Sequence, residues 1–581
     1  MTGLLIDRRD IEFLLHDWLN AGALADRDTV DALLDLSEKL AAEEFLTHFK
    51  RNDVEEPRLE AGNVRICPAI GEALAHYAEL GLFSAGFAEA QGGLGLPYLV
   101  CAASFAFFAA ANAATAAYPM LTVANARLIA AFGTAAQFEA FARPQVEGRW
   151  FGTMCLSEPQ AGSSLADIGT RALPDGSDAL GSRYRLGGNK MWISGGDQDA
   201  SANIVHLVLA KVPGADGALP EGTAGISLFI VPKLLPDGSR NDVTVAGLNH
   251  KMGYRGTANC LLNFGEGGGA TGWIVGAPGD GLRQMFQMMN EARIGVGIGA
   301  AAMGYRGYLL SAAYARERLQ GRPPGKRAGP PVAIIEHPDV RRMLLQQKSY
   351  VEGALALCLY CARLVDTAET SADDAALLGL LTPVAKTWPS EYGLAANDIA
   401  IQVHGGYGYT RDFHVEQLWR DNRLNPIHEG TTGIQAIDLL GRKILRDGSG
   451  LAVLDLRILQ ATEAAGAVPG LARHAEALST AWRLATDTIA RLREGESASA
   501  FDNATAFLQA FGQVVLGWLW LDQATAAAAL RADDDFVEGK LRACRFFFEC
   551  ELPKAEAQLR FVAARSDVAA GAPARIFWQR R

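Results

Sequence analysis

The sequence predicts an α+β multidomain protein in which a compact antiparallel β-domain is inserted between helical regions. Three observations predict it. Apolar residues recur at helical spacing at both ends of the chain and again through its second half. From Gly148 to about Val275 that texture gives way to short β-rich runs separated by turn signals. At 581 residues the chain is also long enough for three or four domains. The order of textures gives an N-terminal helical domain over residues 1–150, a middle β-domain over 151–277, a helical bundle over 278–446 and an extra helical C-terminal domain over 451–581.

The first region reads as helical because Ile11, Leu14, Leu15 and Leu19 share one face, as do Val30, Leu33, Leu34 and Leu40. Gln91–Pro97 is a loop by its glycines and proline. Gln91 to Ala126 holds no charged residue, and Tyr98 to Tyr118 is long enough to span a bilayer. Its alanines, with Ser104, Asn112 and Thr115 between them, predict a buried core helix instead. A further helix is expected over Gln137–Val146.

In the middle region Asp-Gly pairs at 175–176, 216–217 and 237–238 mark turns. The runs Ile204–Lys211, Ile226–Val231 and Cys260–Phe264 have strand length and apolar character. Helices return at Gly281, where Gly295, Gly297, Gly299 and Gly304 lie in one Ala-rich segment and permit close helix packing. The segment is no dinucleotide fingerprint, because Ala300 takes the place of the last glycine and no strand precedes it. Gly321–Pro331 is an exposed basic loop between helices, and Asp447–Gly450 reads as a linker-like turn. Beyond it Leu478, Trp482, Ala485, Ile489 and Leu492 form one apolar face, and Phe546–Phe548 predicts a helix buried on more than one side.

Composition narrows the function classes. The net charge of −11 and a near-neutral C-terminal region argue against a nucleic-acid partner, whose phosphates need a basic face. Eight scattered cysteines give no disulfide framework, and Cys358 and Cys361 read as buried thiols within a helix rather than as metal ligands. The N-terminus has no apolar core of a signal peptide and no basic amphipathic helix is evident, so a soluble, cytoplasmic protein without stable membrane insertion is expected.

The chemistry-bearing stretch is His404 to Asp438. A loop with Gly405, Gly406 and Gly408 ends one helix, a charged amphipathic segment follows, and Glu429 sits on a loop before Gly430, with Thr431 or Thr432 placed to cap the next helix. A carboxylate among apolar neighbours has a raised pKa and suits a general base. Two stretches of the β-domain read as ligand-binding. Met154–Ser164 runs from a strand into a loop of hydroxyls and glycine. Lys190–Gly196 places Trp192 and Ser194 two residues apart on one side of a strand, a flat aromatic beside a hydroxyl donor.

Taken together and in order, Leu156-Ser157-Glu158-Pro159-Gln160-Ala161-Gly162-Ser163, Lys190-Met191-Trp192-Ile193-Ser194, Lys251-Met252-Gly253, Glu317-Arg318, Gln402-Val403-His404-Gly405-Gly406 and Glu429-Gly430-Thr431 resemble the acyl-CoA dehydrogenase family over about residues 40–445. The extra C-terminal region and the run Arg420 to Gly430 resemble its large bacterial branch, which includes 3-methylmercaptopropionyl-CoA and fatty acyl-CoA dehydrogenases. The resemblance implies FAD as cofactor and α,β-dehydrogenation of an acyl-CoA to the trans-2-enoyl-CoA. Glu429 would take the α-proton, and hydride would go to flavin N5. The Glu429 backbone N–H and a flavin ribityl hydroxyl would polarise the thioester oxygen.

The resemblance also implies contacts, residue by residue. Met154, Leu156 and Ser157 meet the isoalloxazine edge, and Trp192 and Ser194 flank the ring. Gly162 and Ser163 belong to the same loop, with Ser163 reaching the phosphate end or the CoA. Arg318, Gln402, Gly405 and Gly406 line the FAD of a neighbouring subunit, Thr431 closes over FAD, and Arg293 and Gly430 meet the substrate. A homo-oligomer, a dimer first, and an electron-transfer flavoprotein as partner follow from the same resemblance. In some branches the base precedes the arginine that matches Arg293. That position is Ala292 here, and Glu291 lies one residue further back, about 100° around the helix, which favours Glu429. Two departures stand out: Gly433 replaces a glutamine that contacts FAD in many members, and Leu319–Arg322 departs from the shorter members' sequence. Alternatives are an acyl-CoA oxidase with oxygen as acceptor, a flavin monooxygenase, and a non-catalytic DNA-associated member. A fatty acyl-CoA is the first substrate choice and a methylthio-substituted or other short acyl-CoA the second.

Overall fold

The computed structural model describes residues 4–323, 325–494, 498–530 and 534–578. The chain forms two compact units. One comprises Ile6–Ala23 and Val296–Arg581, and the other is essentially Leu24–Gly295.

In the second unit the Ala-rich stretch folds as helix over Tyr98–Phe132, kinked at Asn112, where the backbone leaves helical geometry (φ -161, ψ 89). Its most apolar window is 89% buried, as its polar interruptions led us to expect. Those interruptions are satisfied internally: His48 Nε2 meets the Thr115 hydroxyl at 2.8 Å and Ser37 meets Ser104 at 2.6 Å. A short hairpin, β1 (Arg58–Glu60) and β2 (Asn63–Arg65), lies in the same unit. The β-domain comprises β3 (Phe151–Cys155), β4 (Arg171–Asp178), β5 (Gly181–Ser194), β6 (Ile204–Lys211), β7 (Ile226–Pro232), β8 (Val243–Leu248), β9 (Asn259–Phe264) and β10 (Ala270–Ile274). The strands run in the order β10-β7-β6-β4-β5-β9-β8, and β10 also pairs with β5, closing a barrel-like ring. Most pairs are antiparallel, but β3–β6 and β4–β6 are parallel. The purely antiparallel expectation is corrected there, because period-two alternation carries no information about the direction of the partner strand. β6 and β7 are buried at every residue, which explains their continuous apolar runs.

The other unit is helical. The helix Gly281–Glu317, within which the boundary between the units falls, carries the glycines noted in sequence. A Cβ at Gly297 would lie 2.1 Å from the Ala385 carbonyl oxygen, and one at Gly304 would lie 2.9 Å from Gly393 Cα. Small residues are therefore obligatory where this helix meets Ala372–His404. Pro338–Thr367 packs beside them, with Cys358 and Cys361 fully buried in its core face. The linker expected at Asp447–Gly450 is instead a single-residue break: Gly448 (φ +73) ends one helix and Ser449–Gly466 begins at once. Local glycine content marked the break but not its length. Leu478, Trp482, Ala485, Ile489 and Leu492 form the buried face of Ala472–Arg493, and Phe547 and Phe548 are buried as expected.

A buried charge cluster holds the N-terminal segment in this unit. Lys540 pairs with Asp10 and, at 3.0 Å, with Glu352, and Glu352 also pairs with Lys348. The Lys540 ammonium lies 5.3 Å from the Phe13 ring centroid and 5.4 Å from that of Trp520. Buried charges persist only when paired in this way.

Candidate active site

Glu429 ends a loop that its own sequence winds tightly. Ile427 N–H and His428 N–H both donate to the Leu424 carbonyl, and Thr432 N–H donates to the Pro426 carbonyl. Glu429 itself takes φ +52 and Gly430 φ +88. A left-handed non-glycine residue costs about 1–2 kcal/mol and persists only where its surroundings over-determine it. Here they do: Gln435 Nε2 donates to the Glu429 carbonyl at 3.0 Å. A Cβ on Gly430 would stand 2.6 Å from that same nitrogen, so this contact requires glycine at 430. Thr431 caps the helix Thr432–Ile437, its hydroxyl accepting from Ile434 N–H at 3.4 Å.

Behind the loop lies a ladder of buried asparagines. Asn397 donates to the Met303 carbonyl at 2.9 Å, and Asn422 donates to Asn397 Oδ1 at 2.7 Å and to the Ala300 carbonyl at 3.0 Å. Asn425 donates to Asn422 at 2.9 Å and meets His428 Nε2 at 3.0 Å. Lys386 donates to the Asn425 carbonyl at 2.7 Å. Burial, with the nearby Lys386 charge, lowers the His428 pKa to about 3, so the imidazole beside Glu429 is neutral.

Gln402, Gly405 and Gly406 are exposed at the end of Ala372–His404, where Gly405 takes φ +62. A Cβ on Gly405 or Gly406 would meet nothing within 4 Å, so the backbone is open to close approach. Together with Tyr314, Arg318, Gln320 and Tyr407 these glycines line a cavity of about 460 Å³. His404 stacks on Tyr314 at 4.4 Å, and the Arg318 guanidinium lies 5.6 Å from the centre of the Tyr407 ring. A cation beside an unobstructed glycine backbone is suited to phosphate.

The remaining site residues lie in the unit Leu24–Gly295. Met154 is on β3, and Leu156, Ser157, Gly162 and Ser163 follow in the loop, the last two exposed. Trp192 and Ser194 are on β5, but the regular alternation expected there is broken. The β5–β9 register shifts between Lys190 and Ile193, and Trp192 takes φ +67. The bulge leaves the indole 58% exposed while Ile193 is buried. Ser194 receives a hydrogen bond from Asn259 at 3.3 Å. Arg293 is buried on the long helix.

The two stretches are fastened together. Lys190 donates to Glu158 at 2.9 Å and to the Leu156 carbonyl at 3.0 Å, while Met191 N–H donates to the Ser157 carbonyl at 3.0 Å. Glu158 also accepts from Gly169 N–H at 2.7 Å, from Thr170 N–H at 3.1 Å and hydroxyl at 2.6 Å, and from Gln160 at 2.7 Å. Burial alone would raise its pKa, but Lys190 and these donors hold the carboxyl below its ordinary value.

Family comparisons agree along the chain. The acyl-CoA dehydrogenase N-terminal, middle and C-terminal domains match residues 29–149, 153–266 and 279–445, and "Acetyl-CoA dehydrogenase C-terminal like" matches residues 456–573. A 3-methylmercaptopropionyl-CoA dehydrogenase of Ruegeria pomeroyi is 34% identical over 576 residues, covering 95% of this chain and 96% of the relative. The chain belongs to the acyl-CoA dehydrogenase family. A broad-specificity linear acyl-CoA dehydrogenase of Mycobacterium tuberculosis is 35% identical, covering 91% of this chain and 90% of the relative. In fold the chain is similar to Caenorhabditis elegans ACDH-11 in complex with C11-CoA (TM-score 0.79, 21% identity, 98% and 95% of the chains covered). It is also similar to a Bacillus anthracis acyl-CoA dehydrogenase complexed with FAD (TM-score 0.68, 20% identity, 95% and 98% covered). It is an oxidoreductase acting on acyl-CoA, with FAD as its cofactor.

The residues present fit that cofactor. The exposed Trp192 indole offers a flat face, the 162–163 loop is open, and Arg318 stands beside unobstructed glycines. Glu291, the carboxylate one residue from the family's alternative base position, is engaged elsewhere: it pairs with Arg127 at 2.6 Å, and its carbonyl accepts from Tyr98 at 3.2 Å. Sequence reading did not single out the Lys190–Glu158 pair or the asparagine ladder. Polar residues within otherwise apolar helices, Asn397 and Lys386 among them, are the signal that could have flagged the ladder.

Proposed function

We propose that the chain dehydrogenates acyl-CoA thioesters with Glu429 as the base that removes the α-proton. The observation that carries this reading is the strained, hydrogen-bonded seat of Glu429, together with the commitment of Glu291 to Arg127. The Glu429 backbone N–H is the chain's own donor to the thioester oxygen, where negative charge grows as the α-proton leaves. His428 is neutral and so adds no charge of its own beside the base. FAD, when bound, supplies at N5 the acceptor for the β-hydrogen as hydride, and the product is the trans-2-enoyl-CoA.

Met154, Leu156, Ser157, Gly162, Ser163, Trp192, Ser194 and Thr431 hold the cofactor in this reading, and Ser163, Arg293 and Gly430 meet the substrate. Arg318, Gln402, Gly405 and Gly406 receive the nucleotide of a second subunit, which makes the protein a homo-oligomer, a dimer first. The open cavity at Arg318 supports this. The substrate is a linear fatty acyl-CoA, in keeping with the broad-specificity relative, and the second reading is a methylthio-substituted short acyl-CoA, in keeping with the Ruegeria relative. Electrons pass to an electron-transfer flavoprotein. The protein works in the cytoplasm without stable membrane insertion; against insertion stands the burial of the two helices, among the described residues, that are long and apolar enough to cross a membrane.

The test is an anaerobic titration with a panel of acyl-CoAs, following loss of the oxidised flavin absorbance. One chain-length class should bleach the protein rapidly. Glu429→Gln should retain FAD and slow bleaching by about 10²–10⁴-fold. Near wild-type bleaching in that variant would overturn the assignment of the base.

A further inference from the structure

The helix after Glu429 is held from outside the catalytic loop by the extra C-terminal region. Helix Ala504–Ala529 of that region packs on Thr432–Ile437. A polar relay crosses the contact. The Thr432 hydroxyl donates to Glu391 Oε1 at 3.0 Å, Gln509 Nε2 donates to Glu391 Oε2 at 3.1 Å, and Gln558 donates to Gln509 at 3.2 Å. One carboxylate thus joins the first turn of the helix that follows the candidate base to two helices of the extra region. One turn further along the same helix is Gln435, whose amide fixes the Glu429 carbonyl. The phenyl ring of Phe501, also from the extra region, lies where a Cβ on Gly441 would be only 2.9 Å away.

We propose that the extra C-terminal region is a positioning element for the active site, and that Gln509, through Glu391 and Thr432, sets the angle at which Glu429 is presented. The physical requirement is plain. Glu429 sits in a backbone conformation that does not maintain itself, so something must hold both ends of its loop. The asparagine ladder and Lys386 hold the N-terminal end. The C-terminal end is the first turn of a helical run that begins at Thr432 and continues to Asp447, and that turn carries both Thr432 and Gln435. Its register depends on Glu391, and Glu391 is oriented from its other oxygen by Gln509. Thr432, Glu391 and Gln509 are positioning residues here, because none of them needs to touch the substrate.

The inference rests on Glu429 as base, and the experiment separates the two. Holoenzyme is prepared as wild type, Glu429→Gln, Thr432→Val, Thr432→Ser and Gln509→Leu. Anaerobic stopped-flow reduction by a bleaching acyl-CoA gives the limiting reduction rate and the substrate Kd separately, across pH. Thr432→Val and Gln509→Leu should slow the limiting rate by about 10- to 100-fold, the scale of a misplaced catalytic group, with FAD content and substrate Kd nearly unchanged. Their pH profiles should shift relative to wild type, and Thr432→Ser, which keeps the hydroxyl, should recover the rate. Wild-type rates and pH profiles in both Thr432→Val and Gln509→Leu, with Glu429→Gln inactive, would overturn the relay and leave the base intact. A fully active Glu429→Gln would overturn the base itself. A loss of melting temperature with no change in rate or pH profile would make the contact structural only, and would also overturn the proposal.

Discussion

Replacing Lys190 with methionine tests whether the two stretches proposed to hold the flavin are one mechanical unit. Lys190 is fully buried, and its ammonium is the counter-ion of Glu158 as well as the donor to the Leu156 carbonyl. Breaking a buried pair by removing one partner costs about 3–5 kcal/mol. Glu158 keeps its donors from Gly169, Thr170 and Gln160 in the variant, which places the expected loss near the lower end, about 3 kcal/mol. For a unit of this size that is a fall of about 6–12 °C in melting temperature. The loss should not be confined to stability. Without the Lys190 side chain only the Met191 N–H bond to the Ser157 carbonyl ties the β5 bulge to the 156–158 loop, so Trp192, at φ +67, is held less firmly. FAD should then dissociate more readily, seen as a rise in free flavin fluorescence on dilution.

The pH dependence has a definite sign. The Glu158 carboxyl is held below its ordinary value in the folded chain, so its contribution is complete above about pH 4.5 and is lost as the pH falls below that. The gap between wild type and Lys190→Met should therefore narrow in acid. Pairing Lys190→Met with Glu158→Gln should restore part of the stability, because no lone buried charge remains. A Lys190→Met protein that melts within about 2 °C of wild type and holds FAD equally well would refute the clamp.

Other expectations concern separate parts of the molecule. Glu291→Gln should leave acyl-CoA bleaching within a few-fold of wild type while lowering stability by about 1 kcal/mol, because Arg127 loses a partly exposed partner; abolished bleaching with FAD retained would make Glu291 a contributor to the chemistry. Burial raises the Asp10 carboxyl to about 6 despite the opposing pull of Lys540. A carboxyl raised on folding contributes stability when protonated, and that contribution is lost as the pH climbs from about 4 through 6. The melting temperature of Asp10→Asn relative to wild type should accordingly rise between pH 5 and pH 7, and parallel curves for the two proteins would show that Asp10 does not titrate in this range.

The fold was legible in sequence wherever its cause is local. Leu478, Trp482, Ala485, Ile489 and Leu492 announced their helix because a buried stripe requires that spacing. The run Ile204–Lys211 announced β6 because a strand buried on both faces needs no alternation. The cap at Thr431 and the glycine at 430 could be read at the residue that needs them. At Trp192 the same local reasoning failed, since a bulge is set by the partner strand β9 and by Lys190 reaching across to Glu158, 32 positions away in sequence.

By itself, then, the sequence determined the succession of helical and β-rich regions and the family to which the motifs point, and it singled out the carboxylate proposed as the base. These follow from side-chain period, turn chemistry and short motifs, all of which act within a few residues. Only the tertiary structure decided that Glu291 is spent on Arg127, that Asn397, Asn422 and Asn425 stand behind the Glu429 loop, and that Gln509 of the extra region reaches Glu391. It alone joined Asp10 to Lys540 across nearly the whole chain. The physical reason is the same in each case: a buried polar group must find a partner in three dimensions, and nothing in the spacing along the chain says which one it will be.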